Sequence, residues 1–496
     1  MTRPNILWIC TDQQRWDTIS ALGFKGLNTP NIDRLAQDGV AFKNAYTQSP
    51  VCTPSRATFL TGMYPSAHQV QMNGNEYFPK HLKLVPKIFA ENGYKTGLIG
   101  KLHLAASQNR FEKRADDGYQ EFYWSHYPYP DRTPADQLHH HDYHEWLKRK
   151  GVDPEAAFAY ASEALSDGVP TEHHQTTWAG SRASDFIDRH KDKPWFLSIN
   201  LFDPHPPFDP PSEYMARIDI NQVPPPVFSP SDLEHQKRFK NVDQQTIHPA
   251  DPRIKPGDAP NAGSVPEGHT SHDTPPAVYD AMKIKAAYFA MIELIDDMVG
   301  NLVETLRQSG QLDNTVIIFM SDHGEMLGDH GLLYKGCRFY EGLVHVPLVI
   351  SCPSKILTGV VSDALVELVD LPGTLLDICD LPPLEQNQGK SLKPLLTGNT
   401  GQETHKGYVL CEFFDAISFP GHRGSRGSMY FDGRYKLNLY HDACEGELFD
   451  LETDPNEFSD LWADPASAFL RNELVIKHTA AMLKVSGKGP RRVADF

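Results

Sequence analysis

Three stretches of this chain, Ile6–Cys10, Trp195–Leu201 and Thr315–Met320, are apolar on nearly every residue, and Tyr94–Ile99 is a weaker version. None shows the alternation of a strand that keeps one face wet. Such runs are too short for helices. They suit strands buried on both faces, the condition of a parallel sheet with helices packed on either side. In chain order, the four runs give way to Asp12 and Gln13, to Lys101 and His103, to His205, and to Asp322 and His323. Open α/β sheets bind their ligands outside the carboxyl ends of their strands, so these side chains are expected along one edge. Singly, each has an ordinary explanation: a turn aspartate, a solvated lysine, a packed histidine, or an exposed histidine in the Pro-rich loop after Asp203. Recurrence at four strand ends argues for a site.

Helical signals between the runs complete an alternating pattern. Ala277–Ser309 is the strongest, with Ile284, Tyr288, Met291, Ile295, Met298, Leu302 and Leu306 at three- and four-residue steps and Gly310 as a stop. Shorter helices are expected from Thr29-Pro30 to Gly39, over Lys83–Asn92, Trp178–His190 and Val369–Cys379, and Val346–Ser351 reads as a fifth strand. From about Pro382 the texture changes to short strand-like runs, the hairpin signal Asp432-Gly433 and a terminal helix over Leu470–Val485. The expected class is therefore α/β: a large mixed, mostly parallel sheet flanked by helices over residues 1–381, then a smaller α+β subdomain on an antiparallel sheet over 382–496. Two insertions, about 110–177 and 210–276, carry little periodicity. The first holds His139, His140, His141 and His144, too consecutive to converge on one ion and expected as a polar loop. Its Trp124, Tyr127 and Tyr129 either stack on a substrate or pack. The second, rich in Pro, Asp, His and Gly, reads as a lid or subunit contact.

Val51–Gly62 reads as a loop turning into a helix. Pro54 suits a first helical position and Gly62 the residue past the end. Cys52 then falls at a helix N-terminus, where unpaired N–H groups favour an anion, with Arg56 one turn in. The 496-residue chain has a formal net charge of −17. That argues against nucleic acid or an anionic membrane as partner and requires any anion site to be locally cationic; Arg56, Lys101 and Lys335 are the candidates. Seven scattered cysteines without a C-x-x-C pair resemble neither a disulfide framework nor a thiolate zinc site. With no signal peptide and no apolar run of membrane length, a cytoplasmic location is expected.

Cys52-Thr53-Pro54-Ser55-Arg56, followed by Ala57 and Thr61-Gly62, resembles the signature of the formylglycine-dependent sulfatases of the alkaline phosphatase superfamily. Gly100-Lys101-Leu102-His103, Asp322-His323, and the late Glu447–Leu451 and Asp454–Glu457 keep that family's order, so the resemblance runs from Pro4 to about Leu461. It implies an alkaline phosphatase-like fold, with 1–381 as the catalytic domain, and a sulfuric ester hydrolase. In that family an installing enzyme, here a transient partner, oxidises the cysteine to Cα-formylglycine, whose hydrate is the nucleophile. Carried over, Asp12, Cys52, Asp322 and His323 hold one divalent ion, with Gln13 as a further ligand if it reaches. Arg56, Lys101 and Lys335 contact sulfate and nucleophile. His205 or Lys335 protonates the departing alcohol, His103 accepts the proton of the second hydroxyl, and Gln13 and Asn73 bind substrate. The implied substrate is a small sulfate ester of aryl, sugar or choline type, and a homo-oligomer is compatible with the resemblance.

Two positions depart from the common pattern: Gln13, where many sulfatases have Asp, and His323, where many have Asn. These pairs resemble choline sulfatases and phosphonate monoester hydrolases. They reduce the negative charge of the ligand set and shift the ion from Ca²⁺ toward Mn²⁺. The alternatives are a phosphonate monoester or phosphodiester hydrolase on the same scaffold and, in another class, a non-catalytic metal- or carbohydrate-binding protein with Cys52 unconverted.

Overall fold

The computed structural model describes residues 3–487, apart from 25, 108–110, 131–134, 159–164, 167, 241, 243, 247, 257–275, 277, 400–404 and 418–423. Its large sheet holds β1 Asn5–Thr11, β2 Gly39–Tyr46, β3 Lys95–Gly100, β4 Glu121–Trp124, β5 Trp195–Asn200, β6 Thr315–Ser321, β7 Leu348–Ser351 and β8 Val360–Glu367. Across the sheet the order is β4-β3-β5-β1-β6-β7-β2-β8. All neighbours pair in parallel except β7, which runs against β6 and β2. The four apolar runs are β1, β3, β5 and β6, contiguous as β3-β5-β1-β6. Every residue of β1, β5 and β6 is buried, and the pleat sends alternate side chains to opposite layers. Leu7 and Ile9 pack with Trp178, Phe186, Ile295 and Leu302 of the helices Gln175–Arg189 and Ala281–Gln308. Ile6, Trp8 and Cys10 pack on the other face with Ala57, Phe59 and Leu60 of the helix Cys52–Thr61.

Several local expectations need correction. The Cys52 helix starts at Cys52 itself, with Val51 as cap, so Pro54 is its third residue; it is still in the first turn, where a missing N–H breaks no bond. Gly62 does close it, at φ +70 with its N–H on Thr58 O. The helix Pro30–Gln37 ends at Asp38, and Gly39 opens β2 instead of capping it. The His-rich stretch is not a polar loop. His141 caps the helix Asp142–Arg149, the His141 and His144 rings stack at 3.5 Å, and their Nε2 atoms meet the carbonyls of Tyr127 and Pro128. Trp124, Tyr127 and Tyr129 are buried, and Tyr129 donates to Asp209 at 2.9 Å. The second insertion contains the short helices Ser212–Met215 and Pro230–Gln236, the latter opened by a Ser229/Asp232 capping box; its 257–275 stretch lies outside the described residues.

The second sheet is antiparallel, in the order β12-β11-β10-β9: β9 Val409–Phe414, β10 Arg426–Phe431, β11 Tyr435–Tyr440 and β12 Glu445–Asp450. Asp432-Gly433 forms the β10–β11 turn, with Gly433 at φ +94. The helix Ala468–Val485 contributes Leu474, Ala481 and Val485 to the core of this layer. No described helix is long and apolar enough to cross a membrane.

Candidate active site

The ladder of the central strands continues into the loops beyond them. Lys101 N donates to Asn200 O at 3.0 Å, Asp12 N to Asp203 O at 3.1 Å and Asp322 N to Thr11 O at 3.3 Å. These bonds hold Lys101, Asp12 and Asp322 at one edge, as the strand ends imply. Gly100 makes this possible: at φ +100, a Cβ there would lie 2.0 Å from Asn200 O. Cys52 reaches the same edge as first residue of its helix. Ser55 Oγ donates to Asp322 O at 2.6 Å. Asn73 Oδ1 accepts from Thr53 N at 3.0 Å, so Asn73 caps the helix from outside.

Asp12 and Asp322 divide their oxygens between two tasks. The Oδ2 atoms face cations. Arg56 Nη2 lies 2.8 Å from Asp322 Oδ2 and 3.3 Å from Asp12 Oδ2, and the Lys101 ammonium is ion-paired to Asp12 Oδ2. The Oδ1 atoms face His323 Nε2, at 3.9 Å from Asp12 and 3.8 Å from Asp322. Cys52 Sγ lies 3.2 Å from His323 Nε2 and 3.5 Å from Asp12 Oδ1. The ligand atoms of Asp12, Cys52, Asp322 and His323 all fall within 4.8 Å of one another, and all four residues are buried. His323 Nδ1 meets Gly324 O at 2.9 Å, which aims Nε2 at this cluster and fixes the tautomer for ligation. The donor set fits a divalent ion: two carboxylates, one oriented imidazole, and position 52.

Charge at the edge is balanced by position. Burial raises the Asp12 carboxyl, but Lys101, His205, Arg56 and Lys335 together hold it well below the usual carboxylate range. Burial and Asp12 push the Cys52 thiol up, and Lys101, Lys335 and His323 outweigh them, so its pKa is lowered. Lys335 Nζ lies 3.0 Å from Cys52 Sγ and donates to Gln13 Oε1 at 2.8 Å. The other end of that amide, Gln13 Nε2, donates to Glu325 Oε2. Both polar ends of Gln13 are therefore engaged with Lys335 and Glu325. His205 is buried beside Phe202, with Nδ1 2.6 Å from Pro206 O. His103 sits at φ +55 with its ring edge-on to His126, centroids 4.3 Å apart. Burial, His126, Lys101 and Arg56 hold its pKa well below the usual imidazole value, so it is neutral at pH 7. Its Nδ1 has no hydrogen-bond partner among the described residues.

All the candidate cations and metal ligands thus meet at one buried edge, and Asn73 joins them through the helix start. The sulfatase family profile matches residues 4–381, well over half of the chain. The chain belongs to the sulfatase family. A second profile, the C-terminal region of N-sulphoglucosamine sulphohydrolase, matches residues 328–483 of this sulfatase. It is 29% identical to an arylsulfatase of Clostridium perfringens over 92% of this chain and 90% of that protein. It is 30% identical to a choline-sulfatase of Rhizobium meliloti over 93% and 83%. A phosphonate monoester hydrolase of Agrobacterium radiobacter superposes with a TM-score of 0.78 at 26% identity, covering 97% of this chain and 96% of the other. The protein is an enzyme that hydrolyses sulfate esters, on an alkaline phosphatase-like fold.

Sequence reasoning missed four polar groups that shape this sulfatase's site. Glu325 holds Gln13 and the N–H groups of Leu327 and Tyr334. Glu112 holds the His103 turn. Asn200 Nδ2 donates to Lys101 O at 2.7 Å, and Tyr288 OH donates to Gln13 O. Glu325 had a signal, adjoining Asp322-His323-Gly324; the others are single polar residues without local pattern.

Proposed function

We propose that this sulfatase acts through Cα-formylglycine at position 52, installed by a separate enzyme, and that Asp12, Asp322, His323 and position 52 hold one divalent ion. The observation that carries this reading is the convergence of four donor atoms within 4.8 Å on a side chain ringed by Arg56, Lys101 and Lys335. Oxidised, position 52 carries an aldehyde whose hydrate offers one hydroxyl to attack sulfur and a second whose deprotonation lets the aldehyde return as sulfate leaves. A divalent ion would supply positive charge that favours ionisation of the attacking hydroxyl and offsets charge on sulfate oxygens. The imidazole among the donors favours Mn²⁺ over Ca²⁺.

The chain's own groups supply the rest. Arg56, Lys101 and the helix start stabilise charge developing on the sulfate oxygens. The sulfur–oxygen ester bond breaks as His205, or the Lys335 ammonium, gives its proton to the departing alcohol. Neutral His103 accepts the proton of the second hydroxyl. The substrate class favoured by the relatives' names is a sulfate monoester of an aryl, sugar or choline alcohol. The phosphonate hydrolase likeness and the Gln13/His323 pair support a secondary activity on aryl phosphonates. The test is a substrate panel of aryl, sugar and choline sulfates and an aryl phosphonate, run on the wild type and Cys52→Ala, with mass spectrometry across residue 52. Conversion lowers the peptide mass by about 18 Da, the difference between a CH₂SH side chain and an aldehyde. Full sulfatase activity in Cys52→Ala would refute the mechanism, and a higher kcat/KM on the phosphonate than on every sulfate would reverse the substrate assignment.

A further inference from the structure

Glu112 lies outside every motif above, yet it is buried and collects three consecutive backbone N–H groups. Its Oε2 accepts from His103 N at 2.8 Å, and its Oε1 from Leu104 N at 2.6 Å and Ala105 N at 3.1 Å. The left-handed conformation of His103, φ +55, is rare for a residue with a Cβ. Turns of this kind aim successive N–H groups to one side and form an anion-binding concavity. Beside a site built for sulfate, an open concavity would compete for the anion, and Glu112 fills it from within. The start of the same loop is also held: Lys101 O accepts from Arg56 Nη1 at 3.1 Å and from Asn200 Nδ2 at 2.7 Å. The ring of His103 has no such anchor. It stands edge-on to His126, and the Nδ1 atoms of both rings are buried without a hydrogen-bond partner among the described residues. Its aim is therefore set through its backbone, and Glu112 is what fixes that backbone.

We propose that Glu112 is a positioning residue for sulfate-ester hydrolysis, its carboxylate locking the Lys101–Ala105 turn that carries His103. This rests on the assignment of His103 as proton acceptor. Glutamine would keep the size of the side chain but turn an NH₂ donor against N–H donors, releasing one side of the turn. A displacement of about 1 Å at a reacting group costs on the order of 10²-fold in rate.

The experiment is a double-mutant cycle on an aryl sulfate with Glu112→Gln, His103→Ala and the double variant. Formylglycine content and melting temperature are measured for each. Glu112→Gln is expected to lower kcat by about 30- to 100-fold with KM changed by less than about threefold. In the His103→Ala background its further effect is expected to shrink to below about threefold, because the group it positions is gone. Glu112→Asp, which keeps the charge but shortens the reach, is expected to fall between. An unchanged kcat in Glu112→Gln overturns the proposal, as do equal losses in both backgrounds with His103→Ala itself impaired, which mark a purely structural carboxylate. Failure of both Glu112 variants to fold points to the same structural role and also overturns it. A fully active His103→Ala overturns the His103 assignment, and this role of Glu112 with it.

Discussion

Gln13→Asp installs the residue that many sulfatases carry at this place, yet here a large loss of activity is expected. The Gln13 amide is a two-ended strut. Its Nε2 donates to Glu325 Oε2 and its Oε1 accepts from Lys335 Nζ at 2.8 Å, while that ammonium lies 3.0 Å from Cys52 Sγ. Aspartate is one methylene shorter, so it withdraws the acceptor from Lys335 by about 1.5 Å. It also has no donor for Glu325 and sets a like charge against it. The other oxygen of Glu325 already accepts from Leu327 N and Tyr334 N, so Glu325 cannot turn away without losing those bonds. A hydrogen bond to a charged group contributes about 1.5–3 kcal/mol, and loss of one electrostatic contact at a reacting centre lowers kcat by about 10²–10³. The expected result is a kcat lower by about 10²–10³ with a smaller change in KM. Adding Glu325→Gln should restore at least about tenfold, because it removes the like charge set against the new aspartate while its Oε1 still serves Leu327 and Tyr334. The assay is steady-state hydrolysis of an aryl sulfate, with formylglycine occupancy and bound metal quantified in every preparation. Wild-type kcat in Gln13→Asp would refute the strut. So would a failure of the second substitution to rescue while Glu325→Gln alone stays active.

Removal of the divalent ion by a chelator should abolish turnover but leave the fold, because Arg56 and Lys101 continue to neutralise Asp12 and Asp322. Activity should return with Mn²⁺ or Ca²⁺, and a chelated enzyme at full kcat would contradict the proposed metal role. Glu412 is buried, accepts from Ser66 N and Ser66 Oγ, and burial pushes its pKa up to about 8. The folded state therefore binds this proton more tightly than the unfolded chain. Its contribution is full below the unfolded carboxyl value near 4.3 and is lost as pH rises through about 8. Glu412→Gln should flatten the fall of melting temperature from pH 5 to 8, and parallel curves for the two proteins would exclude Glu412 as its source.

The legible part of the fold was the part buried on both faces. β1, β5 and β6 carry unbroken apolar runs because no residue of theirs meets water, and the polar residues just past them stand where the site is. β4 and β8 were missed for the opposite reason, and β2 because its period is broken. β4 and β8 are the sheet edges, and β8 is fully buried only at Val366 and Glu367, which lets Ser362 and Asp363 into its pattern. β2 opens on Gly39 and shifts register between Phe42 and Asn44, breaking its period. Within the site, charged residues in short motifs were visible, whereas the groups that orient them were not. Glu112 serves a turn nine positions upstream and Glu325 a glutamine 312 positions away, relations that exist only once the chain is folded. The His139–His144 stretch misled because its composition is polar while His141 and His144 are buried and stacked.

The strand order also sets a clock. β1 is central, yet its partners β5 and β6 lie far downstream, with Asn5 paired to Thr315, and Cys52 is not enclosed until Lys335, 283 positions later, has joined it. At about 5–20 residues per second of synthesis, the Cys52 segment spends roughly 15–60 s on the growing chain before the last wall of its pocket exists. In the finished protein Cys52 is 1% exposed, and a second enzyme has no route to its sulfur. The oxidation proposed for position 52 would thus fall in the interval of synthesis and folding, and the closing of the sheet over β6 would end the opportunity.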